Sequence, residues 1–129
     1  MTPALWPHRS NRPCIEVVLP HSKPSVIRRL VADTGAGNRQ SSFQLLLEES
    51  DCVRSAGKLM GQVQHGGAYS GLFRVYSVEV SIPVLNFVDN VPVVGVSVVP
   101  GGFDGIAAFR FLNRFHYGNF ANPDSFGLE

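Results

Sequence analysis

Cysteine is scarce in this 129-residue chain, and charge of one sign does not dominate it. The two cysteines, Cys14 and Cys52, are too few for a disulfide framework or a zinc site. Their pairing is open from the sequence, and we expect two buried free thiols. The 11 lysines and arginines nearly balance the 10 aspartates and glutamates, for a net charge of +1. This balance gives no general attraction to nucleic acid or an anionic membrane, so neither is predicted as a partner.

Long uninterrupted apolar runs are missing as well. The longest apolar stretch, residues 82–99, is broken by two prolines, two asparagines and an aspartate. It therefore does not predict a transmembrane helix. The N-terminus has no basic segment followed by an apolar run, so no secretory signal is predicted. We expect a cytoplasmic protein or a domain of a longer precursor.

The histidines do not form a metal-binding pattern. Their spacings are irregular, without an HxH or HxxxH pair, so no metal site is predicted. The glycine-rich residues 66–71 are not followed by a lysine, which excludes a phosphate-binding loop there.

Glycine, proline and β-branched residues are abundant, which is typical of short strands joined by turns. Strands are predicted over 14–19, 25–32, 59–64, 72–82 and 91–99. In residues 72–82 apolar and polar side chains alternate, as expected of a half-buried strand. The β-branched run 91–99 is nearly continuous, which indicates a strand covered on both faces.

A helical pattern is confined to one place in the chain. Phe109, Leu112 and Phe115 recur at about the helical period, so a single short helix is predicted over 109–115. These apolar residues are interpreted as a core stripe of that helix rather than as a ligand site.

The remaining segments complete a single-domain organisation. Residues 41–47 are predicted as a short strand or a helical turn, and residues 48–52 as a polar bend. Residues 1–13 are interpreted as an N-terminal arm and residues 121–129 as a polar C-terminal tail. The predicted fold class is all-β, one domain spanning residues 1–129, folded as a barrel or sandwich.

The segment with the most chemical content surrounds Asp33. An apolar strand leads into Asp33, and a turn made of Thr34 and Gly35 follows it. Gly35 lets the backbone turn and approach a neighbour closely, and Thr34 can hydrogen-bond inward. A carboxylate at the end of a buried strand is partly desolvated and needs a partner, a metal or a proton. Aspartate in such a turn often only caps it, so the tripeptide alone is a modest signal.

The context of this turn resembles the retropepsin-like aspartic proteases, the single-domain class found in retroviruses and in cellular relatives. The matching features, in chain order, are an apolar strand before Asp33-Thr34-Gly35-Ala36, a hairpin with a Gly66-Gly67 tip, the strand 91–99, the segment 104–112 leading into the helix, and a short strand over 116–120. The resemblance covers residues 5–120. It implies a closed acid-protease barrel with one short C-terminal helix.

The resemblance also implies an activity. Aspartic proteases cleave peptide bonds with two carboxylates that face each other across one water. This chain has one Asp-Thr-Gly motif, so the second carboxylate has to come from the Asp33 of an identical subunit in a homodimer. Two such close carboxylates share a proton, so that one acts as base and the other as acid. No metal or organic cofactor is implied.

Further residues acquire roles from the resemblance. Thr34, Gly35 and Ala36 correspond to the active-site turn, with Thr34 locking the two subunits together. The hairpin tip is expected to close over an extended polypeptide substrate, and it comprises His65, Gly66, Gly67 and Ala68. Apolar pocket walls are expected to favour apolar substrate side chains, with Val31, Val63, Val99 and Ile106 as the candidates.

One residue departs from the family pattern and leaves an alternative open. Ala108 stands where the family usually has glycine, and it adds a methyl group where the backbone passes close to the active-site turn. The alternative is a peptide-binding or scaffolding dimer of the same fold with weak or absent catalysis. A third interpretation is an unrelated β-barrel interaction domain in which Asp33 only caps a turn.

Overall fold

The computed structural model describes residues 2–65 and 71–129, and its main body is a closed barrel of six strands. The strands are β1 Ala4–Pro7, β2 Cys14–Leu19, β3 Val26–Asp33, β4 Leu45–Glu48, β5 Lys58–His65, β6 Gly71–Ile82, β7 Phe87–Val96, β8 Gly105–Ala108, β9 Tyr117–Gly118 and β10 Ser125–Leu128. The helical segments are α1 Glu49–Arg54, α2 Phe109–Leu112 and a 3-10 turn at Pro83–Leu85.

The barrel closes because β2 pairs with a different strand at each of its edges. The strand order is β2-β3-β8-β4-β7-β6, and Val18 of β2 pairs with Ser81 of β6 to complete the ring. Strand β5 lies outside the ring and pairs with β6 as the first arm of a hairpin. The pairs β3–β8 and β4–β7 are parallel, whereas the other neighbours are antiparallel. The predicted all-β class and the barrel are confirmed.

The barrel core follows from the alternation that the sequence contains. Val78, Val80 and Ile82 of β6 are buried in the main core. Of the two residues between them, Glu79 is more exposed and Ser81 is buried as well. Removing such apolar side chains from water is the main driving force for this arrangement. On β7, Val93 lies in the main core and Val94 in a second apolar cluster on the other side of the sheet. The prediction of a strand covered on both faces is confirmed for residues 91–96, whereas the predicted end of the strand is wrong, since β7 ends at Val96 and Val98 is exposed.

The predicted number of helices is wrong. A second helix, α1, occupies the region predicted as a polar bend. It forms because Cys52 is buried in the core and because Arg28 of β3 binds the carboxylate of Asp51 in a bidentate ion pair at 2.8 and 2.9 Å. Helix α2 is shorter than predicted, ending at Leu112. Within the described residues, no helix has the length and apolar character needed to cross a membrane.

The chain ends are built into the fold, which corrects their interpretation as an arm and a polar tail. Strands β1, β10 and β9 form a separate three-stranded sheet, in which Trp6 pairs with Phe126 and Tyr117 with Leu128. Leu128 is completely buried in the main core. Strand β9 lies within the strand predicted at 116–120, and one of its edges is already paired with β10 of the same chain.

Candidate functional site

Asp33 is the last residue of β3, at the point where this strand pairs in parallel with β8. Its register partner is Ala108. The N–H of Gly35 donates a hydrogen bond of 2.9 Å to Oδ1 of Asp33, and the N–H of Ala36 donates to the main-chain oxygen of Asp33 at 3.1 Å. Asp33 is half-buried, whereas Thr34 is exposed. The carboxylate is therefore fixed in orientation by its own turn.

The junction between β8 and α2 supports this turn from the side. The N–H of Phe109 donates to the carbonyl oxygen of Ala36 at 2.9 Å, and the N–H of Ala108 donates to that of Gln44 at 3.0 Å. Ala108 is buried, with φ −82° and ψ 170°. Any residue adopts this extended conformation, so the backbone at this position does not require glycine.

The segment that follows the turn is folded back on itself. Gly37 has a φ of +76°, in the region that favours glycine, and a Cβ there would lie 2.5 Å from Oγ of Ser41. The N–H of Asn38 donates to that same Oγ at 2.8 Å, and Nη1 of Arg110 donates to the carbonyl oxygen of Ser41 at 2.6 Å. Arg110 thus connects α2 to the segment beside Asp33. No role was predicted for Arg110 or Ser41 from the sequence.

The four predicted pocket residues fall into two groups. Val63, Val99 and Ile106 pack against one apolar cluster, whose buried members are Leu46, Val75, Val94 and Val96. Val31 packs in a different cluster with Cys14 and Phe103, although it is the register partner of Ile106. The structure therefore does not place Val31 in the same apolar cluster as the other three.

The predicted hairpin tip falls largely outside the described residues. His65 is the last residue of β5, and its register partner is Gly71 of β6. Gly66, Gly67 and Ala68 lie outside the described ranges.

The two thiols are free and buried, as predicted. Burial raises the pKa of the Cys52 thiol to about 12, with the nearby carboxylates of Asp51 and Glu49 adding to the effect. Burial also raises the pKa of Cys14. Because the thiolate is the reactive form of cysteine, neither residue is suited to act as a nucleophile.

A charged cluster at the base of the β5–β6 hairpin was not predicted. Oε2 of Glu49 accepts hydrogen bonds from the hydroxyl of Tyr76 at 2.8 Å and from Nη1 of Arg74 at 3.0 Å. These two bonds lower the pKa of Glu49, and the carboxylate raises the pKa of Tyr76. A cleft of about 280 Å³ opens beside them, and Phe73, Gly95 and Ser97 contribute to its walls. The sequence contains no local pattern that predicts this cluster, because Glu49 lies 25 residues or more from Arg74 and Tyr76.

Replacing Tyr76 by phenylalanine is expected to raise the pKa of Glu49, because the carboxylate loses the hydroxyl that favours its ionised form. Since the folded-state pKa of Glu49 is lowered, its stabilising effect is present above the unfolded-state pKa and is lost as pH falls through the folded-state pKa. Tyr76→Phe should therefore lose more stability at pH 7 than at pH 3. Carboxyl-carbon NMR titration and urea denaturation measure the two effects.

Tyr117→Phe is the matched control for this experiment, since Tyr117 lies in β9 and its ring packs against that of Phe126. It should leave the titration of Glu49 unchanged. An unchanged Glu49 titration in Tyr76→Phe would contradict the assignment of this hydrogen bond as the main cause.

No protein-family model matches the chain, and no curated protein matches it. Across residues 2–65 and 71–129, no group of three or more histidine, cysteine or acidic side chains is arranged to hold a metal ion. The class defined by the fold and the site is a six-strand barrel that carries a braced aspartate turn at the end of one strand.

Proposed function

We propose that this chain is one subunit of a homodimeric aspartic endopeptidase, in which the Asp33 carboxylates of two subunits activate one water. The observation that carries the proposal is the fixed carboxylate of Asp33, bonded by the N–H of Gly35 at 2.9 Å and braced through Ala36 by the N–H of Phe109. The sequence resembles the retropepsin-like proteases at this same feature, a carboxylate held in an Asp-Thr-Gly turn at the end of a barrel strand.

The reaction follows from two such carboxylates with one proton between them. The ionised carboxylate takes a proton from the water as the water oxygen attacks the scissile carbonyl carbon. The protonated carboxyl group donates its proton to the carbonyl oxygen. When the tetrahedral intermediate collapses, the C–N bond breaks and the leaving amine takes its proton from the carboxyl group that received one from the water. One hydroxyl of the intermediate gives its proton to the other carboxylate as the new carboxyl group forms. The two carboxyl groups end the cycle with one proton between them, as they began.

The apolar cluster beside the hairpin supports a polypeptide substrate with apolar side chains near the cut. Val63 of β5 and Ile106 of β8 both pack against it, so the cluster connects the hairpin to the strand next to Asp33. Extended peptides bind proteins by pairing their backbone with strands while side chains enter apolar pockets. The β5–β6 hairpin and this cluster supply both elements.

The methyl group of Ala108 favours a second candidate function, a dimer of the same fold that binds peptide without cleaving it. Ala108 is buried, and it is the register partner of Asp33. In this alternative, its packing holds the two turns away from the distance that shared protonation requires.

The test is incubation of the purified protein with an unfolded protein and with apolar peptides between pH 3 and pH 7, alongside sedimentation analysis. We expect a dimer that cleaves peptide bonds and that a statine-type transition-state mimic inhibits. A dimer that binds the mimic without cleavage would replace the protease with the peptide-binding candidate. A monomer at micromolar concentration without cleavage would overturn both and favour an interaction domain.

A further inference from the structure

Arg114, just beyond the end of α2, contacts three side chains from two other parts of the fold. Its Nη1 donates a hydrogen bond of 2.9 Å to Oε1 of Gln44. Its Nη2 donates to Oδ2 of Asp89 on β7, and its guanidinium lies 5.0 Å from the centre of the Phe87 ring. The ion pair with Arg114 also lowers the pKa of Asp89. Three contacts in different directions give this guanidinium one defined position.

Gln44 lies just before β4, and its main chain bonds to two other strands, β7 and β8. It is buried, with 8% of its surface exposed. Its N–H donates to the carbonyl oxygen of Pro92 on β7 at 2.8 Å, and its own carbonyl oxygen accepts the N–H of Ala108 at 3.0 Å. Gln44 thus links β7 to the end of β8.

The end of β8 is the part of the structure that supports the Asp33 turn. Ala108 is the register partner of Asp33, and the N–H of the next residue, Phe109, donates to the carbonyl oxygen of Ala36. A continuous series of contacts therefore runs from Arg114 through Gln44 and Ala108 to the turn. Arg114, Gln44 and Ala108 are all distant from Asp33 in the sequence.

We propose that Arg114 is a positioning residue, which holds Gln44 and through it the β8–α2 junction that orients the Asp33 carboxylate. The catalytic consequence rests on the proposed protease function. The structural part, that Arg114 fixes the junction, does not depend on it.

Removing Arg114 is expected to disturb the junction because it leaves a buried hydrogen-bond acceptor, Oε1 of Gln44, without its partner. Without Arg114, Oε1 of Gln44 loses a charge-assisted hydrogen bond, and it regains a partner only by moving toward water. Such a movement pulls the main chain of Gln44 away from the N–H of Ala108. Reactions between fixed groups are sensitive to displacements of about 1 Å, so a small shift of the turn is enough to slow catalysis.

The experiment compares Arg114→Met and Gln44→Met with wild type by two readouts. The first is amide hydrogen exchange at Ala108 and Phe109, which we expect to become about ten-fold faster in both variants. The second is peptide cleavage, in which kcat should fall about ten-fold with KM changed less than about two-fold. The double variant should be no worse than Arg114→Met alone, because the Arg114–Gln44 contact is already absent from that variant.

Two further variants separate positioning from general loss of stability. Gln44→Glu keeps an oxygen acceptor for Arg114, so both readouts should stay near wild type, in contrast to Gln44→Met. Arg29→Met removes a comparable half-exposed ion pair, that with Glu16 at 2.7 Å, on the strand that carries Asp33. It should lower stability while leaving the exchange of Ala108 and Phe109 and the value of kcat near wild type.

The outcomes distinguish this proposal from the proposed function. Unchanged exchange at Ala108 and Phe109 in Arg114→Met would overturn the positioning role, whatever the activity. Faster exchange with kcat unchanged would overturn its catalytic consequence. If wild type cleaves nothing, the protease proposal fails, and faster exchange at the two amides still supports Arg114 as the residue that fixes the junction.

Discussion

Asp33→Asn is expected to reduce peptide cleavage by about a thousand-fold or more while the barrel and the dimer persist. Asparagine has nearly the same shape as aspartate, and its side-chain oxygen can still accept the N–H of Gly35 that now bonds Oδ1 at 2.9 Å. It cannot take a proton from water or pass one to a carbonyl oxygen. Activity should therefore disappear without unfolding, as measured by peptide hydrolysis together with urea denaturation and sedimentation.

A mixing experiment tests whether Asp33 is half of a shared site. When wild type and Asp33→Asn are unfolded together and refolded in equal amounts, about one quarter of random dimers carry two carboxylates. Activity should fall to that fraction of an unmixed sample with the same total protein. A fall to one half would mean that each chain acts alone, which contradicts the shared site. Asp124→Asn, at an exposed aspartate before β10, is the control and should leave activity unchanged.

Gly105→Ala is expected to have the largest effect on stability. Gly105 lies in β8, between its register partners Leu30 on β3 and Leu47 on β4. A Cβ at this position would overlap the carbonyl oxygen of Leu46 and would lie 2.8 Å from Cδ2 of Leu47 and 2.9 Å from Cδ2 of Leu30. Because the nearest atom belongs to the backbone, β8 has to move away from β4. We expect a loss of about 3 kcal/mol or more, a large part of the stability of an ordinary domain.

Gly102→Ala provides the comparison, because it isolates backbone strain from steric overlap. Gly102 has a φ of +76°, and no atom lies within 4 Å of the position that a Cβ would take. The expected cost is only the strain of a left-handed alanine, about 1 kcal/mol. Urea denaturation of both variants measures the difference. Equal midpoints would contradict the close packing of β8 between its neighbours.

The sequence predicted the parts of the fold that depend on local patterns. The alternation in β6 and the β-branched run in β7 indicated where strands lie, because side-chain direction along a strand repeats every two residues. The boundaries were less accurate. β7 starts at Phe87, before the predicted start, because it continues to pair with β6 as far as Ile82. It ends at Val96, and Val98 beyond it is exposed.

Helix α1 was missed because its reason for forming is not local. Only two of its six residues, Asp51 and Cys52, are buried, which leaves too short an apolar pattern to recognise. Its Asp51 is held by Arg28, 23 residues earlier in the chain. The terminal sheet was missed for a similar reason, since its strands are short and β1 and β10 come from opposite ends of the chain.

The amino-acid order alone determined the class of fold, the buried thiols and the place of Asp33 at the end of an apolar strand, because each is encoded within a few neighbouring residues. Tertiary structure alone decided how that carboxylate is braced and what surrounds it. Arg114 and Gln44 are 70 residues apart, and Tyr76 and Glu49 are 27 apart. Hydrogen bonds of this kind depend on the direction of each side chain after the barrel has closed, and no local pattern contains that information.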